Sequence, residues 1–188
     1  MSNLARQAIK IPSHISFRLD SNQLLFSGPL SDATIHLSVF VFIDLNINKI
    51  TVTDKLLPIG LGNKKLDGKA LQGSTFSLIR QNILGITTGF RKQLKLVGVG
   101  YRASVESTDT YQILNLKLGY SHKIYLLVPA NLKVICLKPT VISVYGHDKQ
   151  KVYQMAATIK SYKLPEPYKG KGILYQDEKI LRKEGKRS

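Results

Sequence analysis

The chain has 188 residues, with 28 Lys and Arg against 12 Asp and Glu, a formal net charge of +16. Hydrophobic residues at 43% and charged ones at 21% are ordinary globular usage, so the chain can bury a core and general disorder is excluded. A charge of +16 exceeds what solubility requires and costs self-repulsion unless a polyanion neutralises it, which places nucleic acid first among partners and an anionic membrane surface second.

Charge and aromatic type divide the chain near Gly89. Residues 1–90 carry a net +4, residues 91–146 +6 and residues 147–188 +6. All six Phe lie at or before Phe90, and all nine Tyr at or after Tyr101. Phe suits a dry interior, whereas Tyr has a polar tip that suits interfaces. Two domains are expected, 1–89 and 90–188, the second more partner-facing.

Met1–Arg6 lacks a secretory apolar stretch, and too little precedes Pro12 for an evident transit peptide. The expectation is a soluble basic protein, made where it works or already processed. Ile15–Asp20 and Gln23–Gly28 read as short strands around a Ser21-Asn22 turn. Ile35–Asp44 and Lys49–Thr53 follow as β-branched or aromatic runs, with Asn46 and Asn48 as turn signals. The longest apolar run, Leu37–Leu45, is broken by Ser38 and Asp44 and is far shorter than the about 20 residues of a spanning helix. Pro58–Gly73 reads as a Gly- and Lys-rich loop. Phe76, Ile79, Ile83 and Ile86 then recur at helical spacing, between a Ser74-Thr75 cap and a Gly89 stop.

The second half repeats the plan. Gln93–Val105, Tyr111–Leu118, Lys123–Val128, Leu132–Leu137 and Val141–Tyr145 read as successive strands. Gly146-His147-Asp148 opens a helix with Val152, Met155, Ala156 and Ile159 on one face, and Pro165 ends it. The fold class is therefore α+β: two duplicated domains, each an antiparallel sheet packed with one main helix, plus a basic C-terminal extension. Leu174–Ser188 has no apolar period of its own and is expected to be ordered by a partner.

Catalytic chemistry finds little support. Gly98-Val99-Gly100-Tyr101-Arg102-Ala103 has the letters of a dinucleotide fingerprint, but strand-like residues continue through Val105 and no acidic residue follows about 20 positions later. Glycines at a bulge or a close backbone approach fit better. His14, His36, His122 and His147 sit in separate segments without metal-ligand spacing. The single cysteine, Cys136, excludes an internal disulfide and lies in an alternating strand, where an inert buried thiol is the common case. No enzyme, metal or cofactor is expected.

Pro165-Glu166-Pro167-Tyr168-Lys169-Gly170-Lys171-Gly172-Ile173 is the most informative stretch. Its prolines fix an extended path, its glycines would let a polyanion backbone approach, and its lysines and tyrosine suit phosphate and base. A solvated lysine-rich turn is the plain alternative. The same even choice holds for Arg91, Lys92, Arg102, Lys149, Lys151, Lys160 and Lys163, and the overall +16 tips it towards RNA. With no recognition helix, aromatic RNA-binding strand or GXXG loop, backbone and shape recognition are expected rather than base reading.

Gly89-Phe90, Leu96–Ala103 (LVGVGYRA), Leu118–His122 (LGYSH), Pro165–Ile173 (PEPYKGKGI) and the Tyr-x-Asp-Glu element at Tyr175–Glu178 together resemble large-subunit ribosomal protein six of the bacterial and organellar type. The resemblance covers Gly73–Ser188 well; before that it rests on Gly28-Pro29 and Gly73–Thr75. It implies duplicated α+β domains and binding of large-subunit rRNA, mostly through the second domain and tail. It further implies a place near the sarcin–ricin stem where translational GTPases dock, with neighbouring large-subunit proteins and passing translation factors as partners, and no catalysis. The rRNA contacts it implies are Tyr168, Lys169, Gly170, Lys171 and Gly172, joined by Lys163, Arg182, Lys183, Lys186 and Arg187. The chain departs from the family at Ser31, where glycine is usual, and at Phe76, where arginine is usual. The first domain is therefore expected to hold RNA less, or to meet a protein instead. Abundant Ile, Leu and Lys with little Ala suggest an AT-rich organellar gene, mitochondrial ahead of plastid, with a bacterial cytoplasm as the alternative. The runner-up function is a basic adaptor outside the ribosome, bound to RNA or to an anionic membrane.

Overall fold

The computed structural model describes residues 7–20, 23–37, 41–46, 49–54, 64–108 and 110–185, in two compact units that divide between Gly89 and Phe90. The first contains β1 (Ile9–Lys10), β2 (Ser16–Asp20), β3 (Gln23–Ser27), β4 (Asp32–His36), β5 (Val41–Asn46), β6 (Lys49–Asp54) and α1 (Lys64–Thr87). β2, β3 and β4 form one antiparallel sheet, and β1, β6 and β5, in that spatial order, form another. The alternation in β3 shows why: Leu24 and Phe26 are buried, with Gln23 and Ser27 exposed on the opposite face. Phe76, Ile79, Ile83 and Ile86 of α1 are buried in a core with Ile9, Ile15, Leu24, Phe26, Ile50 and Val52.

Two expectations need correction in this unit. Ile35–Asp44, read as one run, is two strands: β4 pairs with β3 in one sheet and β5 with β6 in the other, so the chain must change sheets between them. Pro58–Gly73, read as a loop, is helical from Lys64 onward, and Ser74-Thr75 lies inside α1 rather than capping it. Leu66, Ala70, Leu71 and Gln72 are good helix formers, so the segment stays helical despite Gly68 and Gly73, which cost about 1 kcal/mol each relative to Ala. Gln72 also donates its Nε2 to the Val52 carbonyl at 2.6 Å, tying this turn of the helix to β6. The turns read at Ser21-Asn22 and Asn48 lie outside the described residues.

The second unit contains β7 (Phe90–Val97), β8 (Arg102–Ser107), β9 (Gln112–Lys117), β10 (Ile124–Val128), β11 (Leu132–Lys138), β12 (Val141–Gly146), α2 (Lys149–Ser161) and β13 (Gly172–Tyr175). Its sheets run β10-β9-β8 and β11-β12-β7-β13. The chain path repeats that of the first unit. In each, the first strand pairs with the last strand before the helix (β1 with β6, β7 with β12), a three-strand meander comes between, and that last strand also pairs with its predecessor. β13 is the addition.

Gln93–Val105, read as one strand, breaks into β7 and β8 at a turn where Tyr101 N donates to the Gly98 carbonyl at 3.3 Å. The Tyr101 ring fills the space beside two glycines: a Cβ would stand 2.8 Å from it on Gly98 and 3.2 Å on Gly119. α2 starts as expected, with Asp148 Oδ1 accepting from Gln150 N at 2.9 Å. Val152, Met155, Ala156 and Ile159 are buried against Leu94, Leu96, Ile142, Val144 and Ile173. Truncating Ile159 to Ala should cost about 2–5 kcal/mol in urea unfolding, whereas Gln154→Ala on the exposed face should stay within about 0.5 kcal/mol.

Candidate nucleic-acid interface

After α2 the chain runs through Tyr162–Pro165, turns, and returns as β13. The return is antiparallel to β7, with Gly172 opposite Val97 and Tyr175 opposite Leu94, and it buries Ile173 and Leu174. This corrects the expectation that everything from Leu174 onward awaits a partner: the free edge of β7 orders the start of the tail. The turn is fastened three times. Ile173 N donates to the Lys163 carbonyl at 2.9 Å, Glu166 N to the Lys171 carbonyl at 2.9 Å, and Gly170 N to the Glu166 carbonyl at 3.1 Å. Lys183 N then donates to the Pro167 carbonyl at 2.9 Å, laying the tail against the strap.

Gly170 and Gly172 act within this strap. Gly172 has φ +149°, and a Cβ there would stand 2.5 Å from Pro165 Cα. Gly170 has φ +68°, and a Cβ there would stand 3.3 Å from Arg182 Nε. Both glycines are buried, and the close approaches they allow within this chain are those of its own Pro165 and Arg182. What the strap presents outward is Tyr168, 59% exposed, and Lys169, with Lys171 half-buried beside them and Arg182 and Lys183 exposed on the tail. A cavity of about 420 Å³ between β7, the strap and the tail is lined by Lys95, Lys179, Arg182 and Glu178 among others. Lys163 sits at the root of the strap with its Nζ 4.6 Å from the Tyr120 ring centroid. Lys186 and Arg187 lie outside the described residues.

Other cations are engaged within the unit. Lys160 Nζ lies 2.6 Å from Glu178 Oε1 and 4.6 Å from the Tyr175 ring centroid, with its side chain only 19% exposed. It is a fastener of the tail rather than a solvated or phosphate-binding lysine. Glu178 also accepts from Tyr175 N at 3.1 Å. The hydrogen bond from Lys160 holds the Glu178 carboxyl below the ordinary glutamate value; partial burial opposes this, and the Tyr175 amide and the charges of Lys160 and Lys92 reinforce it. Lys92 Nζ lies 4.8 Å from the Tyr175 centroid and 5.4 Å from that of Tyr153, and Arg91 lies over Tyr145 at 5.3 Å. Lys151 is 3.9 Å from Asp148. Burial pushes the Cys136 thiol up, away from the thiolate a nucleophile needs. Among the described residues, no three His, Cys, Asp or Glu side chains gather as a metal site, and no helix is long and apolar enough to cross a membrane.

Residues 97–176, from the end of β7 through the strap to the end of β13, match the family described as Ribosomal protein L6. Relatives named large ribosomal subunit protein uL6 match over nearly the whole chain. The protein of Mycoplasmoides gallisepticum is 42% identical over 188 residues, covering 99% of this chain and 97% of its own. That of Fervidobacterium nodosum is 38% identical, covering all of both chains, and that of Bartonella bacilliformis 37%, covering 100% and 99%. The chain belongs to the ribosomal protein L6 family. L6 proteins are structural and non-enzymatic, in keeping with a site built from cations, rings and backbone rather than from an acid–base pair.

Sequence reasoning missed β13, the Lys160–Glu178 fastener and the lysines resting on tyrosine rings. A signal for the first was present: Ile173-Leu174-Tyr175 is an apolar run directly after a glycine.

Two predictions test the strap. Gly172→Ala should lower stability by about 1–3 kcal/mol or more in thermal unfolding, while Gly185→Ala, with open space around it, should not. Glu178 has a lowered folded value, so its stabilisation is fully present above the ordinary glutamate pKa of 4.5 and is lost as pH falls through the folded value. The stability advantage of the native protein over Glu178→Gln should therefore shrink on acidification below that point, as read by unfolding across a pH series.

Proposed function

We propose that the chain is a structural constituent of the large ribosomal subunit that holds large-subunit rRNA through the strap and tail of its second unit. One observation carries this reading. A turn fastened by its own backbone bonds projects Tyr168 and Lys169, and Lys171, Arg182 and Lys183 flank them with no carboxylate paired to any of these cations among the described residues. Such an arrangement neutralises phosphates and offers a ring to a sugar or base, which fits backbone and shape recognition. Gly170 and Gly172 contribute by shaping the turn. Lys163 at its root, and Lys186 and Arg187 beyond it, extend the same basic run.

The finer placement rests on family resemblance. It is near the sarcin–ricin stem, at the base of the region where translational GTPases dock, with other large-subunit proteins as neighbours and translation factors passing nearby. The relatives named above are bacterial, which supports the bacterial alternative over the mitochondrial compartment suggested by composition.

Sedimentation of a tagged chain from its source cells at high salt tests the assignment. One copy per large subunit should persist, whereas release to the top of the gradient would return the adaptor reading. Lys169→Glu with Lys171→Glu should weaken rRNA binding and lower the salt slope by roughly 1.4–1.8, the share of two phosphate contacts. Unchanged affinity and slope would remove the strap from the interface.

A further inference from the structure

The LGYSH motif belongs neither to the strap nor, beyond its first residue, to the core. Leu118 is buried, but Gly119 at φ +75° turns the chain away, and Tyr120 emerges 41% exposed. Tyr120 and His122 lie ring against ring, their centroids 6.0 Å apart and their planes 18° from parallel. With Ile124, Tyr125 and Tyr162 they line a groove of about 460 Å³. Tyr120 donates its hydroxyl to the Tyr162 carbonyl at 3.0 Å, which holds one wall still. Tyr125, on β10 at the edge of its sheet, is 62% exposed.

Four of the five lining side chains are aromatic and none is acidic. Lys163 brings a cation to the rim, 4.6 Å from the Tyr120 centroid. An aliphatic protein segment would find few aliphatic partners here, since Ile124 alone is of that kind. A nucleotide answers both features, its base to the rings and its phosphate to the lysine. Continuity favours the same occupant: Lys163 accepts the Ile173 amide at 2.9 Å, so the groove's rim and the strap's root are one piece of backbone.

We propose that this groove receives one unpaired nucleobase of the bound rRNA, stacked on Tyr125, with Lys163 paired to its phosphate. The assignment rests on the rRNA-binding function proposed above. It is tested with the full chain and transcribed large-subunit rRNA, measuring Kd across a salt series for the native protein, Tyr125→Phe and Tyr125→Leu. Phe keeps a ring and should bind within about 2-fold of the native protein, while Leu should lose roughly 5- to 150-fold, the usual worth of one stacked base. The salt slope should not change in either, because it counts phosphates rather than stacks. Native-like binding by Tyr125→Leu, or equal loss in Tyr125→Phe, overturns the stack while leaving the strap assignment standing. If the native chain itself fails to bind rRNA, both readings fall. Ultraviolet crosslinking of the native complex gives an answer independent of any variant. A nucleotide adduct within residues 120–125 supports the groove, whereas adducts confined to the strap, or a neighbouring protein crosslinked at Tyr125 in the intact subunit, overturn it.

Discussion

Pairing of β7 on both of its edges is the constraint from which the outward face of the second unit follows. β12 holds one edge, and the other must be reached by a chain that leaves α2 at Ser161 and begins β13 at Gly172. So short a return requires the two arms of the loop to touch. Lys163 and Ile173 share a hydrogen bond, and Pro165 occupies the place of a Gly172 side chain. Each such bond is worth about 1 kcal/mol net, and burying Ile173 about 1.5–3 kcal/mol. The residues between the arms have nowhere to go but outward. Tyr168 and Lys169 are exposed because the sheet is closed beneath them.

The same closure sorts the cations. Residues 91–188 carry most of the excess positive charge. Lys160 is held by Glu178 and the Tyr175 ring, and Lys92 and Arg91 rest on tyrosine faces, where a cation gains about 0.5–1 kcal/mol at exposed positions. The Lys160 and Lys92 contacts fasten β13 and the tail to α2 and β7, while Arg91 on Tyr145 joins β7 to β12. Among the described residues Lys169, Lys171, Arg182 and Lys183 have no carboxylate or ring partner of this kind, so their mutual repulsion is left uncompensated within the unit. Position relative to the β7 edge, rather than residue type, separates the fastening cations from the outward-facing ones.

That distinction explains what could be read from sequence. The α2 stripe at Val152, Met155, Ala156 and Ile159 was legible because helical periodicity is local. The strap stood out because Pro, Gly and Lys in that order are rare in a packed element. The tail was misread because β13 exists only through β7, a partner distant in sequence. Lys160 was misjudged for the same reason: nothing near it marks Glu178 as its neighbour. The start of α1 is hidden in the sequence because Gly68 and Gly73 read as punctuation, although the residues around them favour a helix. The strap glycines mark where space is needed, but composition does not show that Pro165 and Arg182 approach there.

The duplication sharpens the argument. Both units share one path of strands and helix, so a difference in role must come from what that path does not include. In the first unit β1, two residues long, stands at the edge of its sheet. In the second, the equivalent strand β7 spans Phe90–Val97 and offers an edge long enough for four more residues to pair. The strap and tail are attached to that edge, and the aromatic groove meets them at Lys163. A longer first strand in one copy thus supports the strand, the strap and the positively charged surface that the other copy lacks the edge to hold.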